Sequence, residues 1–268
     1  VAIITISRGT FAGGELLARR LGTLLGYRVV SREQLYERAR IEYGIAVEEF
    51  ASLTARTPNV FERSKRESRR LLVALQATIC SLVAEDDAVY HGHSGHLFLP
   101  GVTHVLRVRL IAPRDKRIEM ARDREHITES EASVRIDQVD AERMRWNLFF
   151  YGVQWGDPGL YDVTLNLERL ALEDAAAAVA AMARLPTFAT TEVSRRRLLD
   201  VALEARVKAR LMLDPILGAY DVDVEVTQGR VRLAGLESQQ HVLWAVEQVR
   251  RLPGVEYVEG AQRGAARP

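Results

Sequence analysis

The first stretch of the chain runs from a strand pattern through a glycine-containing loop into a helix pattern, and this order restricts the fold more than any other. Val1-Ala2-Ile3-Ile4-Thr5-Ile6 is an apolar run rich in β-branched residues. Ser7 to Glu15 follows as a loop, after which Leu16, Leu17, Leu21, Leu24 and Leu25 recur at helical spacing with Arg19 and Arg20 off that face. Strand, loop and helix in this order aim backbone N–H groups and a helix N-terminus at an anion. Gly9 and Gly14 have the GxxxxG spacing of a phosphate-binding loop, but the lysine and hydroxyl positions that follow in that pattern hold Glu15 and Leu16. The same residues also suit a plain strand-to-helix turn in which glycine supplies a positive φ, and the loop alone leaves both readings open.

The alternation continues downstream. Tyr27 to Val30 reads as a strand, and Ser31 with Gln34 has the spacing of a capping box for a helix that ends at Gly44. A short helix over 48–54 and a long one from Asn59 to Val83 are expected next. The long one carries Arg63, Lys65, Arg66, Arg69 and Arg70 interspersed with Glu62 and Glu67, the pattern of a solvated face. Strands at Ala88–His91, Val102–Ile111 and Val163–Leu167 alternate with helices at Pro113–Arg124, Glu129–Tyr151 and Glu173–Arg184. Such alternation implies an α/β fold, a mostly parallel sheet flanked by helices. Beyond Leu185 the pattern changes. A helix from Ser194 leads to alternating Val222, Val224 and Val226, a turn at Gln228-Gly229, a second alternating run, a helix over 238–252 and a strand over 255–258. The expected organisation is a first domain over 1–184, a linker over 185–193 and a small α+β domain of order αββαβ over 194–262.

Composition adds exclusions. A formal net charge of +1 gives no argument for a nucleic-acid partner. The single cysteine, Cys80, rules out an intrachain disulfide, and its apolar helical setting predicts a buried, inert thiol. No apolar run has membrane-span length and no secretory pattern is visible, so a cytoplasmic protein is expected. His91, His93 and His96 cluster, but with only Asp86 and Asp87 nearby they form no complete metal-ligand set.

Arg117, Arg122, Arg124, Arg135, Arg143 and Arg145 crowd two consecutive helical patterns, with Asp137, Asp140 and Glu142 interleaved. Guanidinium groups clamp phosphates in two-point fashion, and the aspartates can hold them in place when no ligand is bound. Ile3-Thr5-Ile6-Ser7-Arg8 with Gly13-Gly14, the phrase Leu106 to Pro113, the run Asp137 to Arg143 and the run Trp155 to Asp162 together resemble the cytidylate-kinase-like family over about 1–183. That resemblance implies a P-loop nucleoside monophosphate kinase fold in which ATP, with Mg²⁺, phosphorylates CMP or dCMP. Residues 117–151 would then supply an arginine-rich lid. Arg8, Gly9, Thr10, Gly13, Gly14 and Glu15 would lie against the donor phosphates, and Gly92 and His93 near the monophosphate. Arg122, Arg124, Arg143 and Arg145 would close over the transferring group, with Asp157 orienting a lid arginine or the acceptor.

Val222 to Val226, Gly229 to Gly235 and Pro253 to Val258 resemble a BON domain, which implies a binding module with a protein or lipid-surface partner. Two functional readings stand side by side. One is a nucleoside monophosphate kinase with an altered loop. The other, favoured by Glu15 and Leu16, is a catalytically impaired nucleotide-binding sensor that signals through its BON module.

Overall fold

The computed structural model describes residues 2–50, 62–85, 87–92 and 94–262, without the side chains of 62–65. Most of the helix expected over 48–54, and His93, lie outside them. The chain divides into two compact units, one made of 1–58 and 85–191, the other of 59–84 and 192–268.

The first unit is built on five parallel strands in the order β2-β3-β1-β4-β5: β1 Ile3–Arg8, β2 Arg28–Ser31, β3 Ala88–His91, β4 Val105–Ile111 and β5 Val163–Asn166. The β-branched run of β1 is buried along nearly its whole length, as a central parallel strand requires. Ile4 pairs with Val89 on one side and Leu106 on the other. The helices are α1 Gly14–Leu25 and α2 Arg32–Tyr43, then, after the excursion to the second unit, α4 Arg114–Glu125, α5 Glu129–Tyr151 and α6 Leu172–Ala183. The expected capping box of α2 is present, with Ser31 and Gln34 bonding each other's backbone N–H. Ala175, Ala176, Val179, Ala180 and Ala183 of α6 share one core with Leu17 and Leu21 of α1, small side chains letting the two helices approach closely. From β1 the chain passes to the edge strand β2, returns inward to β3 beside β1, and then crosses to β4 and β5 on the other side. A sheet wound this way opens a crevice beside β1 at the carboxyl ends of its strands.

The second unit joins α3 Glu62–Val83 to α7 Glu192–Leu213, β6 Asp223–Thr227, β7 Arg230–Leu236, α8 Gln239–Arg250 and β8 Tyr257–Gln262. β6 and β7 form the expected hairpin, and β7 pairs in parallel with β8. Val224 and Val226 are buried while Asp223 and Glu225 face out, as their alternation predicts. Leu203, Val207 and Leu211 of α7, one turn apart, close the core over this sheet.

Two features differ from the sequence expectation. The stretch 59–84 does not belong with the first unit, because α3 packs along α7 and buries Leu71, Leu75 and Ile79. The expected linker over 185–193 is not a free tether. Phe188, in a short 3-10 turn at Pro186–Phe188, is buried in the core of the first unit, and α7 already begins at Glu192. Cys80 is fully buried on α3, and burial pushes its thiol up to about 12, which makes it inert. Among the described residues no helix is long and apolar enough to cross a membrane.

Candidate functional site

The loop between β1 and α1 lies at the crevice. Ala12 N–H closes a turn onto the Gly9 carbonyl (3.1 Å), and Gly13, at φ 82° and ψ 12°, turns the chain into α1. That left-handed conformation strongly favours glycine. Helix α1 starts at Gly14, so the glycine that makes the turn is Gly13, one residue earlier than the Gly9/Gly14 spacing places it. Phe11 is also left-handed, at φ 58°.

Asp140 of α5 braces this loop. One of its oxygens accepts from Thr10 N–H (3.0 Å) and Thr10 Oγ1 (2.6 Å), and the other pairs with Arg117 of α4. Arg117 Nε in turn donates to the Thr10 carbonyl (2.7 Å). Arg143, 3.8 Å from Asp140, donates to the Arg8 carbonyl (3.0 Å). Burial, followed by the nearby charge of Arg8, pulls the Arg143 guanidinium down to about 9. Two of the arginines expected on the transferring group or lid therefore reach the loop through its backbone.

Above the loop is a cavity of about 580 Å³. Its cationic wall includes Arg8, Arg19, Arg32, Arg124, Arg135 and Arg143, and its acidic groups are Glu15, Glu33 and Glu125. Glu15 accepts from Arg19 and Arg124, both at 2.9 Å. Burial alone would raise its carboxyl, but the two arginines outweigh that and hold it below its ordinary value. Arg8 is lowered, chiefly by burial and then by Arg32.

The expected residues separate by helix phase. Arg135, Val139 and Arg143 are four apart and form one stripe of α5 along the cavity, whereas Arg145 lies off that stripe and is exposed. On α4 the cavity side carries Met120 and Arg124, and Arg122 points away into solvent. Asp157 is exposed and caps a short turn by accepting from Gly159 N–H (2.8 Å), so its observed partner is a turn rather than an arginine. Thr10, Gly13, Gly14 and Glu15 line the cavity with Arg8. Gly9 donates to the Leu110 carbonyl (3.3 Å) and Gly92 to that of Ile6 (3.3 Å), and neither lines it. Arg32, Glu33 and His91 were not anticipated. All three sit at the carboxyl ends of β2 and β3, a placement that the Ser31 capping box hinted at but strand order alone establishes.

The run Trp155 to Asp162 buttresses the site from below. Trp155 Nε1 donates to Ser7 Oγ (2.9 Å), and Tyr161 Oη lies 3.2 Å from the same oxygen while donating to the Trp155 carbonyl (3.0 Å). Arg109 stacks over both rings, and Asp162 receives Arg107 through two guanidinium nitrogens and its backbone N–H. His96 packs on Tyr161 with ring centroids 4.9 Å apart. Burial, then the charges of Arg107 and Arg109, lower His96 to about 4. A depressed histidine contributes stability that is present above its unfolded value and lost as pH falls. The fold should therefore weaken between about pH 6.5 and 4, by up to about 3 kcal/mol for this residue. Urea unfolding across that range, wild type against His96→Gln, checks it. An identical pH slope in the two proteins would show that His96 charges freely in the fold.

Residues 3–169 match the model of the cytidylate kinase-like family, and residues 200–261 match that of the BON domain. A cytidylate kinase of Methanopyrus kandleri is 28% identical over 171 residues, covering 62% of this chain and 85% of that enzyme. One of Methanothrix thermoacetophila is 28% identical over 187 residues, covering 67% of this chain and 99% of that enzyme. Among solved structures, an uncharacterised protein of Eubacterium ventriosum aligns over 68% of this chain and 98% of its own length, with a TM-score of 0.54 and 18% identity, a likeness of fold alone. With the family model spanning most of the chain and the parallel sheet, loop and arginine-lined crevice in place, this chain belongs to the cytidylate kinase-like family and carries a BON domain after it.

Proposed function

We propose that the cavity transfers the γ-phosphoryl group of ATP to CMP or dCMP. One observation carries the reading: a helix N-terminus entered through left-handed Gly13 faces the same volume as Arg8, Arg32, Arg124 and Arg143. Such transfer asks for alignment and charge neutralisation rather than covalent catalysis. The braced loop gives the donor phosphates a fixed cradle, and Arg124 and Arg143 neutralise charge on the transferring group. At the end of β2, Arg32 suits an acceptor monophosphate, and the Glu33 carboxylate suits the exocyclic amine of cytosine.

Mg²⁺ would supply further charge neutralisation between the phosphates. Such an ion takes one or two carboxylates and completes its shell with phosphate oxygens and water. Glu15 offers one carboxylate at the loop.

A second reading keeps binding without turnover, and Glu15 favours it. Its carboxylate faces the incoming phosphates and holds Arg19 and Arg124 in their place. Under that reading the BON domain relays occupancy to a partner. Glu15→Gln discriminates. Removing a repelling charge and freeing two arginines should tighten metal-free ATP binding about tenfold. If CMP phosphorylation with Mg²⁺ falls at least about tenfold in the same variant, Glu15 works through the metal and the enzyme reading holds. A wild type that binds CMP and ATP in a calorimeter yet forms no CDP is the regulatory protein.

A further inference from the structure

The pattern Gly-x-x-x-x-Gly-Lys of a phosphate-binding loop closes on the glycine that leads into the helix. Here that glycine is Gly13, the left-handed residue that caps α1. Counted from it, the lysine position is Gly14 and the first glycine position is Arg8. Cation and glycine stand in each other's places.

The two positions also meet in space. The Arg8 side chain crosses directly over the Cα of Gly14. A Cβ on Gly14 would overlap Arg8 Cδ and stand 2.9 Å from its Nε. The arginine thus starts from the end of β1 and passes over the first residue of α1, the point from which a lysine side chain would otherwise start. Arg8 lines the cavity beside Arg32, Arg124 and Arg143, and among the described residues no carboxylate oxygen lies within 4.0 Å of its guanidinium nitrogens. Buried charges need a counter-charge. A largely buried cation grouped with other cations at a helix N-terminus is arranged for an anion from solution.

We propose that Arg8 takes the place of the missing lysine, its guanidinium contacting the β and γ phosphates of a nucleoside triphosphate, and that position 14 is glycine because Arg8 passes over it. The guanidinium stays protonated and takes part in no bond making. The identity of the anion rests on the kinase reading above. The exchange also moves Glu15 from the lysine position to that of the metal-binding hydroxyl, where a carboxylate is compatible with Mg²⁺.

The experiment measures binding of ATP and of inorganic tripolyphosphate by calorimetry, and CMP phosphorylation, in the full chain. Arg8→Met keeps the stem over Gly14 and removes the charge. It should lose at least about tenfold in affinity for both ligands with its thermal midpoint held. Gly14→Ala adds a good helix residue but displaces Arg8, so its midpoint should hold while affinity falls by a similar factor. Gly14→Lys alone should be impaired by crowding. The double variant Arg8→Gly/Gly14→Lys, which restores the ordinary pattern, should return to within about threefold of wild type. Wild-type affinity in Arg8→Met, or a double variant no better than Arg8→Gly, overturns the exchange. If those variants still phosphorylate CMP as wild type does, the kinase reading stands without it. If wild type binds tripolyphosphate, and the variants follow the expected order, but neither ATP nor CMP binds, the exchange stands and the kinase reading falls. A wild type that binds neither polyphosphate overturns both.

Discussion

Asp140→Ala should lower the unfolding free energy by about 3 kcal/mol and, on the function proposed above, abolish ATP binding at the loop. This one carboxylate holds Thr10 at its N–H and its hydroxyl, pairs with Arg117 and lies near Arg143. All three charged side chains are mostly shielded, with exposures of 20% for Asp140, 15% for Arg117 and 12% for Arg143. Removing one member of a shielded charge pair costs roughly 3–5 kcal/mol, because the stranded partner stays desolvated. The partial exposure here argues for the lower end. Asp140→Asn keeps an acceptor for Thr10 but not the charge, so it should fall between alanine and wild type. Urea unfolding followed by circular dichroism measures the first effect and ATP titration the second. A loss below about 1 kcal/mol with binding intact would mean that the loop holds its shape through its own backbone.

The second large effect concerns the C-terminal unit. A fragment of residues 192–262 should fail to fold cooperatively, although it contains the whole αββαβ pattern. Helix α7 serves two layers. Leu203, Val207 and Leu211 cover the small sheet, while the helix also packs along α3, where Leu71, Leu75 and Ile79 are buried. Ala202, Ala205 and Ala209 of α7 and Ala74 and Ala77 of α3 are also buried, small residues that suit close helix packing. Burying each large apolar side chain contributes roughly 1.5–3 kcal/mol. Losing three or more takes away an amount comparable to the 5–15 kcal/mol that typically stabilises a domain. Adding a peptide of residues 62–84 should restore a dispersed amide spectrum and a sigmoidal melt. A sharp melt of 192–262 without that peptide would make α3 an accessory.

What the sequence disclosed about this molecule follows from range. Features decided by neighbours were legible. The β-branched run of β1, the Ser31–Gln34 box, the valine alternation of β6 and the inert setting of Cys80 all appear where local pattern put them. Features decided across the chain were not. Nothing near 62–83 says that its apolar face belongs to a helix beginning at Glu192. The arginine cluster was visible as composition, but separating Arg124 and Arg143 from Arg122 and Arg145 needed the phase of each helix against the loop. Arg32, Glu33 and His91 entered the site only once strand order placed β2 and β3 on the same side of β1. The loop register needed a backbone angle, since Gly13 and Gly14 are the same letter with different conformations.

The distant partnership of α3 also orders events during synthesis. Helix α3 leaves the ribosome before β3, β4, β5 and its own partner α7. Until Glu192–Leu213 has emerged, Leu71, Leu75 and Ile79 lack the helix that packs along α3, and β3 to β5 must find their places in the sheet with this apolar segment still waiting. Loop-closure entropy grows only logarithmically with the length enclosed, so the finished protein loses little by the arrangement. The cost falls on time: contacts between distant segments form slowly and leave apolar surface open to other chains meanwhile. The emergence of Glu192–Leu213 is therefore what ends the aggregation-prone interval of a helix translated well before it.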